Sequence, residues 1–141
     1  IATHTIPSVG TNEPGLMLAL PKVSTFEDDG VLTPAEISNL DLNAKLVVLS
    51  ACNTASGNNQ DTEVLSGLAQ AFIYAGAENI IVSHWNVETN STVELMTSFY
   101  QYWLEEGVKP QFALSLAKQD MMKSKNYNQP FYWAGFSFYG I

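Results

Sequence analysis

The chain has 141 residues, 46% of them apolar and 14% charged, with one cysteine. That length and composition suit one globular domain whose core needs no disulfide or metal staple. The net charge of −8, from 14 acidic against 6 basic residues, argues against nucleic acid as a partner, which would need a basic stripe to neutralise phosphates.

In chain order, IATHTI is β-branched and reads as the end of a strand. SVGTNEPG crowds Gly, Pro, Asn and Ser into a turn. LMLALPK reads as a strand stopped by Pro21, and TFEDDG as a turn with Glu27, Asp28 and Asp29 solvated. VLT reads as a strand returning antiparallel. LTPAEISNL predicts a short helix: Thr33 is the N-cap, Pro34 fits the first helical position, and Glu36 closes a T-x-x-E capping box. KLVVLSAC is the strongest strand. Leu46, Val47, Val48 and Leu49 are apolar on both faces, which predicts a parallel sheet covered by helices. NTASGNNQDTE reads as a loop.

VLSGLAQAFIYAGA carries Val64, Leu65, Leu68, Ala69, Phe72 and Ile73 at helical spacing, with Gly76 as a C-cap. ENIIVSHW is a second buried strand. TNSTVELMTSFYQYWLEEG predicts a long helix ended by Gly107, and PQFALSLAKQDMMKS another, opening near Pro110. NYNQP is a turn, and FYWAGFSFYG a closing strand interrupted by Gly135. The alternation of strands and helices predicts an α/β layered sheet, one domain over residues 1–141. No apolar run reaches the ~18 residues of a membrane span. One cysteine leaves no internal disulfide, which suits a reducing, cytoplasmic compartment. The opening on isoleucine reads as a piece of a longer polypeptide.

In α/β sheets, ligands bind beyond the carboxyl ends of strands. His4 and Cys52 both follow such ends, 48 positions apart, a spacing found between histidine and cysteine in caspases. A free thiol has a pKa of about 8.5, so it is a weak nucleophile at neutral pH without help. An imidazole, near ~6.5, can serve as acid or base. The oxyanion needs fixed N–H donors, for which the backbone of Cys52 and Thr5 are candidates. A lone cysteine acting as a small apolar core residue is the other reading. His4, His84 and Cys52 lack metal-ligand spacing. His84 reads as a packed or surface histidine. Trp85 walls a substrate pocket or packs in the core. Phe99, Tyr100, Tyr102 and Trp103 serve core or interface packing. Neither of the glycine-rich nucleotide-binding motifs occurs.

LVVLSACNTASG, GLAQAFIYAGAENIIVSHWNVE, ELMTSFYQYW and PFYWAGFSFYG follow in that order, with ATH at the start and DGVLTPAEISNLDL between. Together they resemble the CHAT domain, a caspase-like peptidase domain often joined to tetratricopeptide repeats. The resemblance implies a caspase-like three-layer sandwich around a mostly parallel central sheet. It implies a cysteine endopeptidase acting on protein or peptide substrates with no cofactor. Cys52 matches the family nucleophile in SAC, and His4 the family histidine in ATH. IIVSHWNV matches the strand before W-x-V, so Ser83 and Trp85 border the substrate channel. A tetratricopeptide-repeat region, in the same or a partner polypeptide, is an implied partner.

Two departures stand out. Thr5 replaces the glycine usual after the histidine, which favours a second function: a catalytically inactive caspase-like module mediating protein–protein interaction. The family's further strands and helices ahead of the histidine are missing, so this chain is expected to be the later part of the domain. In the loop from Thr54 to Glu63, Asp61 or Glu63 would give the pocket negative charge and favour a basic residue on the acyl side. A plain solvated loop is the other reading.

Overall fold

The computed structural model describes residues 2–3, 5–6, 15–19, 21–22, 29–51 and 59–140. The chain divides into two compact units: Ile1–Asn86 with Tyr139–Ile141, and Val87–Phe138. Most of the turn expected over residues 8–15, whose Gly15 opens a strand instead, and most of that over 25–30 lie outside the described residues.

In the first unit, β1 (Ala2–Thr3) pairs in parallel with β5 (Val47–Ala51), Ala2 opposite Ser50 and Thr3 opposite Ala51. β5 pairs in parallel with β6 (Asn79–Ser83), with Leu49 opposite Val82. A second, antiparallel sheet holds β2 (Thr5–Ile6), β3 (Gly15–Met17) and β4 (Val31–Leu32), in that order. The chain therefore leaves one sheet after Thr3 and enters the other at Thr5. β4 returns antiparallel to β3, as VLT predicts, although β3 stops at Met17, short of the strand expected up to Pro21.

The short helix α1 (Pro34–Ser38) opens as its sequence predicts. The Thr33 N–H donates to the Glu36 carboxylate at 2.8 Å, and the Glu36 N–H donates back to Thr33 Oγ1 at 3.3 Å. Each side chain satisfies a backbone donor that helix geometry leaves without a partner.

Helix α2 (Asn59–Tyr74) joins β5 to β6. It begins four residues before Glu63, so the loop expected up to Glu63 is shorter than its letters suggest. The polar run Asn59–Glu63 carries no apolar period, yet acidic residues suit the positive end of a helix dipole. Leu68, Ala71 and Phe72 of α2, with Ala75 just beyond its end, form one core with Val47, Leu49, Ile80 and Val82 of the sheet, joined by Leu16 and Ile37. Burying one such large side chain contributes roughly 1.5–3 kcal/mol. Ile81 and Ser83, on the opposite pleat face, are buried too, so β6 is covered on both faces as its apolar run predicts.

Gly76 closes α2 at φ 107°, and its N–H donates to the Ile73 carbonyl at 3.0 Å. A Cβ at this position would collide with the Leu42 carbonyl oxygen. Both the conformation and the lack of space require glycine.

In the second unit, α3 (Thr89–Tyr100) continues into a π-helical turn (Gln101–Glu105), and α4 (Pro110–Lys123) follows. The helix expected as one run to Gly107 thus widens in its last turns, and Gly107 ends it at φ 70°. α3 and α4 pack against each other. The closing strand is shorter than its aromatics suggest. Gln129 precedes a 3-10 turn (Pro130–Tyr132), where Pro130 fits the first helical position, and β7 spans only Phe136–Gly140. The end of β7, Tyr139 and Gly140, belongs to the first unit. There β7 is the fourth strand of the sheet ordered β1-β5-β6-β7.

Gly76→Ala should destabilise the protein by roughly 1–3 kcal/mol, read as a lowered urea midpoint; an unchanged midpoint would contradict the contact with Leu42. A second expectation concerns Glu88, the N-cap of α3. Its carboxylate accepts the N–H groups of Asn90 at 3.0 Å and Ser91 at 2.8 Å, and the Asn90 and Ser91 backbone bonds hold its pKa below the ordinary carboxylate value. With the folded value lowered, the cap's contribution is present above the unfolded value and is lost as pH falls through the folded one. Protection of the Asn90 and Ser91 amides should drop over that acid window in the parent protein and be absent throughout in Glu88→Ala.

Candidate functional site

The site is built on the parallel strands. Parallel pairing turns the carboxyl ends of β1, β5 and β6 toward one edge of the sheet. β1 ends at Thr3 and β5 at Ala51, and these two residues are register partners. His4 and Cys52 are the next residues in the sequence after each. Both lie outside the described residues. Thr5 is the first residue of β2, in register with Leu16 of β3.

The other expected site residues fall in different places. Ser83 ends β6 and is 1% exposed, and its hydroxyl has no hydrogen-bond partner among the described residues. An orphaned buried hydroxyl costs about 1–3 kcal/mol. Trp85, two residues beyond Ser83, is half-buried. Asp61 is in the first turn of α2 and not in a loop.

A feature that the sequence did not reveal is a groove in the first unit. A cavity of about 460 Å³ is lined by Ser66, Ala69, Gln70, Ile73 and Tyr74 of α2, by Val82 and His84 at the end of β6, and by Tyr139 of β7. The α2 residues recur at three and four positions, so they form a second stripe beside the one that faces the core. Val82 and His84 alternate onto the same pleat face. The signals were both present in the sequence: a helix apolar over more than one face, and a histidine two residues after a core valine. What the letters could not supply was that the sheet surface beside α2 stays open.

The second unit holds its own polar contacts. Tyr102, in the π turn, donates its hydroxyl to the Asp120 carboxylate of α4 at 2.7 Å. That bond, with desolvation and the charges of Asp120 and Glu106, raises the phenol above its usual value. Lys118 donates from Nζ to the Phe136 carbonyl at 2.6 Å, and burial lowers its ammonium from the usual lysine value. Phe99, Tyr100 and Trp103 stack at centroid spacings of 5.0 to 6.1 Å, as expected of packing aromatics. Among the described residues, no three His, Cys, Asp or Glu side chains gather as a metal site.

Comparison with known proteins agrees with the family that the motif order resembles. The family model described as CHAT domain matches residues 1–141. Tetratricopeptide repeat protein 28 from Mus musculus is 34% identical over 110 residues, and its Homo sapiens counterpart likewise. Each alignment covers 78% of this chain and 4% of the relative, so the chain spans a small part of the length of the curated relatives it matches. A whole-length family match, carried on a mixed α/β architecture, leads to one statement of membership: the chain belongs to the CHAT domain family.

Proposed function

We propose that the chain is a cysteine endopeptidase of the caspase-like group, with Cys52 as nucleophile and His4 as acid/base. The observation that carries this reading is the register pair Thr3 and Ala51. Adjacent parallel strands lie about 4.8 Å apart, and consecutive Cα atoms 3.8 Å. Two residues that each follow one member of such a pair start within reach of each other. In this reading the CHAT unit is a caspase-like three-layer sandwich.

The steps follow from that pairing. His4 takes the thiol proton, and the Cys52 sulfur attacks the scissile carbonyl carbon. The carbonyl oxygen becomes an oxyanion held by the backbone N–H groups of Cys52 and Thr5. As the oxyanion collapses, the C–N bond breaks, the leaving amine takes the proton from His4, and a thioester remains. Water, deprotonated by His4, then attacks the thioester, releasing the acid and restoring the thiol. None of these steps needs a metal or organic cofactor. Ser83 and Trp85 border the substrate channel at the end of β6. The relatives' name, tetratricopeptide repeat protein, supports a repeat region of the same or a partner polypeptide as a partner.

Thr5 favours a second reading, an inactive caspase-like module that binds proteins without cutting them. The test separates the two. The full-length protein is incubated with a mixture of internally quenched peptides, beside Cys52→Ala and His4→Ala. Cleavage should fall by about 10⁴-fold or more in Cys52→Ala and by about 10²–10⁴-fold in His4→Ala, with thermal melting unchanged. Cleavage that persists in Cys52→Ala would overturn the peptidase reading. Peptides bound and never cut by the parent protein would favour the inactive module.

A further inference from the structure

We propose that the groove beside α2 is a specificity pocket that takes one large aromatic or aliphatic side chain of an extended peptide; as a substrate pocket it rests on the peptidase reading above. Three observations support this occupant. The first is size: about 460 Å³ lies in the range of preformed ligand pockets and holds a large side chain with part of its backbone.

The second is a gradient of polarity. α2 runs back from the carboxyl edge of the sheet, because it connects the end of β5 to the start of β6. Ser66, nearer the start of α2, therefore shares one end of the groove with His84, which follows the end of β6. Hydroxyl and imidazole at that end suit peptide amides and carbonyls. Ile73, Tyr74 and Tyr139 form the far part. Tyr74 and Tyr139 are 84% and 49% exposed, and Ile73 is 42% exposed. Apolar surface left open beside a filled core is stabilised by an apolar occupant.

The third is placement. Val82 is the register partner of Leu49, and His84 lies two residues beyond Val82, as Ala51 lies two beyond Leu49. The polar mouth thus sits level with the end of β5, at the edge where ligands of parallel sheets bind. An extended peptide crossing that edge can lower one side chain into the groove.

The test uses full-length Cys52→Ala protein, which keeps binding separate from cleavage. It is equilibrated with a positional-scanning library of N-acetyl hexapeptides, each pool fixed at one residue, and the retained peptides are weighed by mass spectrometry. Phe, Trp and Leu should be enriched about tenfold or more over Gly and Asp at one position. Adding Ser66→Trp, at an exposed position on α2, fills the groove and should abolish the enrichment, while Ser66→Ala keeps it. Gln70→Trp, also at an exposed position, should act like Ser66→Trp, and both should melt like the parent. No enrichment, or enrichment that both tryptophan variants leave intact, would overturn the proposal. A dimer that these variants dissociate would assign the groove to a second copy and overturn it too. Cleavage by the parent protein is scored separately: its absence, with the enrichment intact, ends the peptidase reading and leaves the groove as a peptide-side-chain pocket.

Discussion

Parallel pairing is the constraint on which the rest of the first unit depends. Strands that run side by side in one direction end at one edge, and the chain must return along a face of the sheet before it can add the next. α2 is that return between β5 and β6. Its return buries one face of both strands and makes Leu49, Phe72 and Val82 members of one core. The same geometry brings the carboxyl ends of β1, β5 and β6 to one edge.

Rigidity beneath that edge comes from the core. Leu49, Leu68, Ile80 and Ile81 are each at most 1% exposed, and each contributes roughly as much as the buried Ser83 hydroxyl costs. One orphaned hydroxyl is therefore affordable beside so many filled positions, but it is not neutral. It lies at the last residue of β6, where the sheet stops and the substrate channel is proposed to begin. Regular packing thus extends to the edge of the proposed site, and departures from it concentrate there. The change of sheet between Thr3 and Thr5 is another such departure, and it flanks the histidine.

Much of this architecture is legible in the letters because local chemistry and tertiary context agree. The capping box at Thr33 and Glu36 needs three residues and no partner element, and it forms as written. The apolar runs of β5 and β6 specify burial on both faces; the fold supplies it for β6, while β5 is fully buried on the Val47 and Leu49 face and half-buried at Val48. The family motifs were legible in the same way, because they are contiguous. Where context decides, the letters mislead. Asn59–Glu63 looks like a loop because a helix's first turn needs no apolar stripe. Phe131, Tyr132 and Trp133 look like a strand because aromatics favour strands, while Pro130 turns the chain there instead. The groove was hidden for a further reason. Ser66, Gln70 and His84 are unremarkable one by one, and only the packing of α2 across β6 lines them up.

The most direct test of the central claim is the alkylation rate of Cys52 in the full-length protein across pH, read by mass spectrometry of its peptide, beside His4→Ala. The proposed Cys52 and His4 pair predicts an activated thiol. Its rate should stay high well below pH ~8 and fall in His4→Ala. A plain thiol titration near pH ~8.5, the same in both proteins, would contradict it.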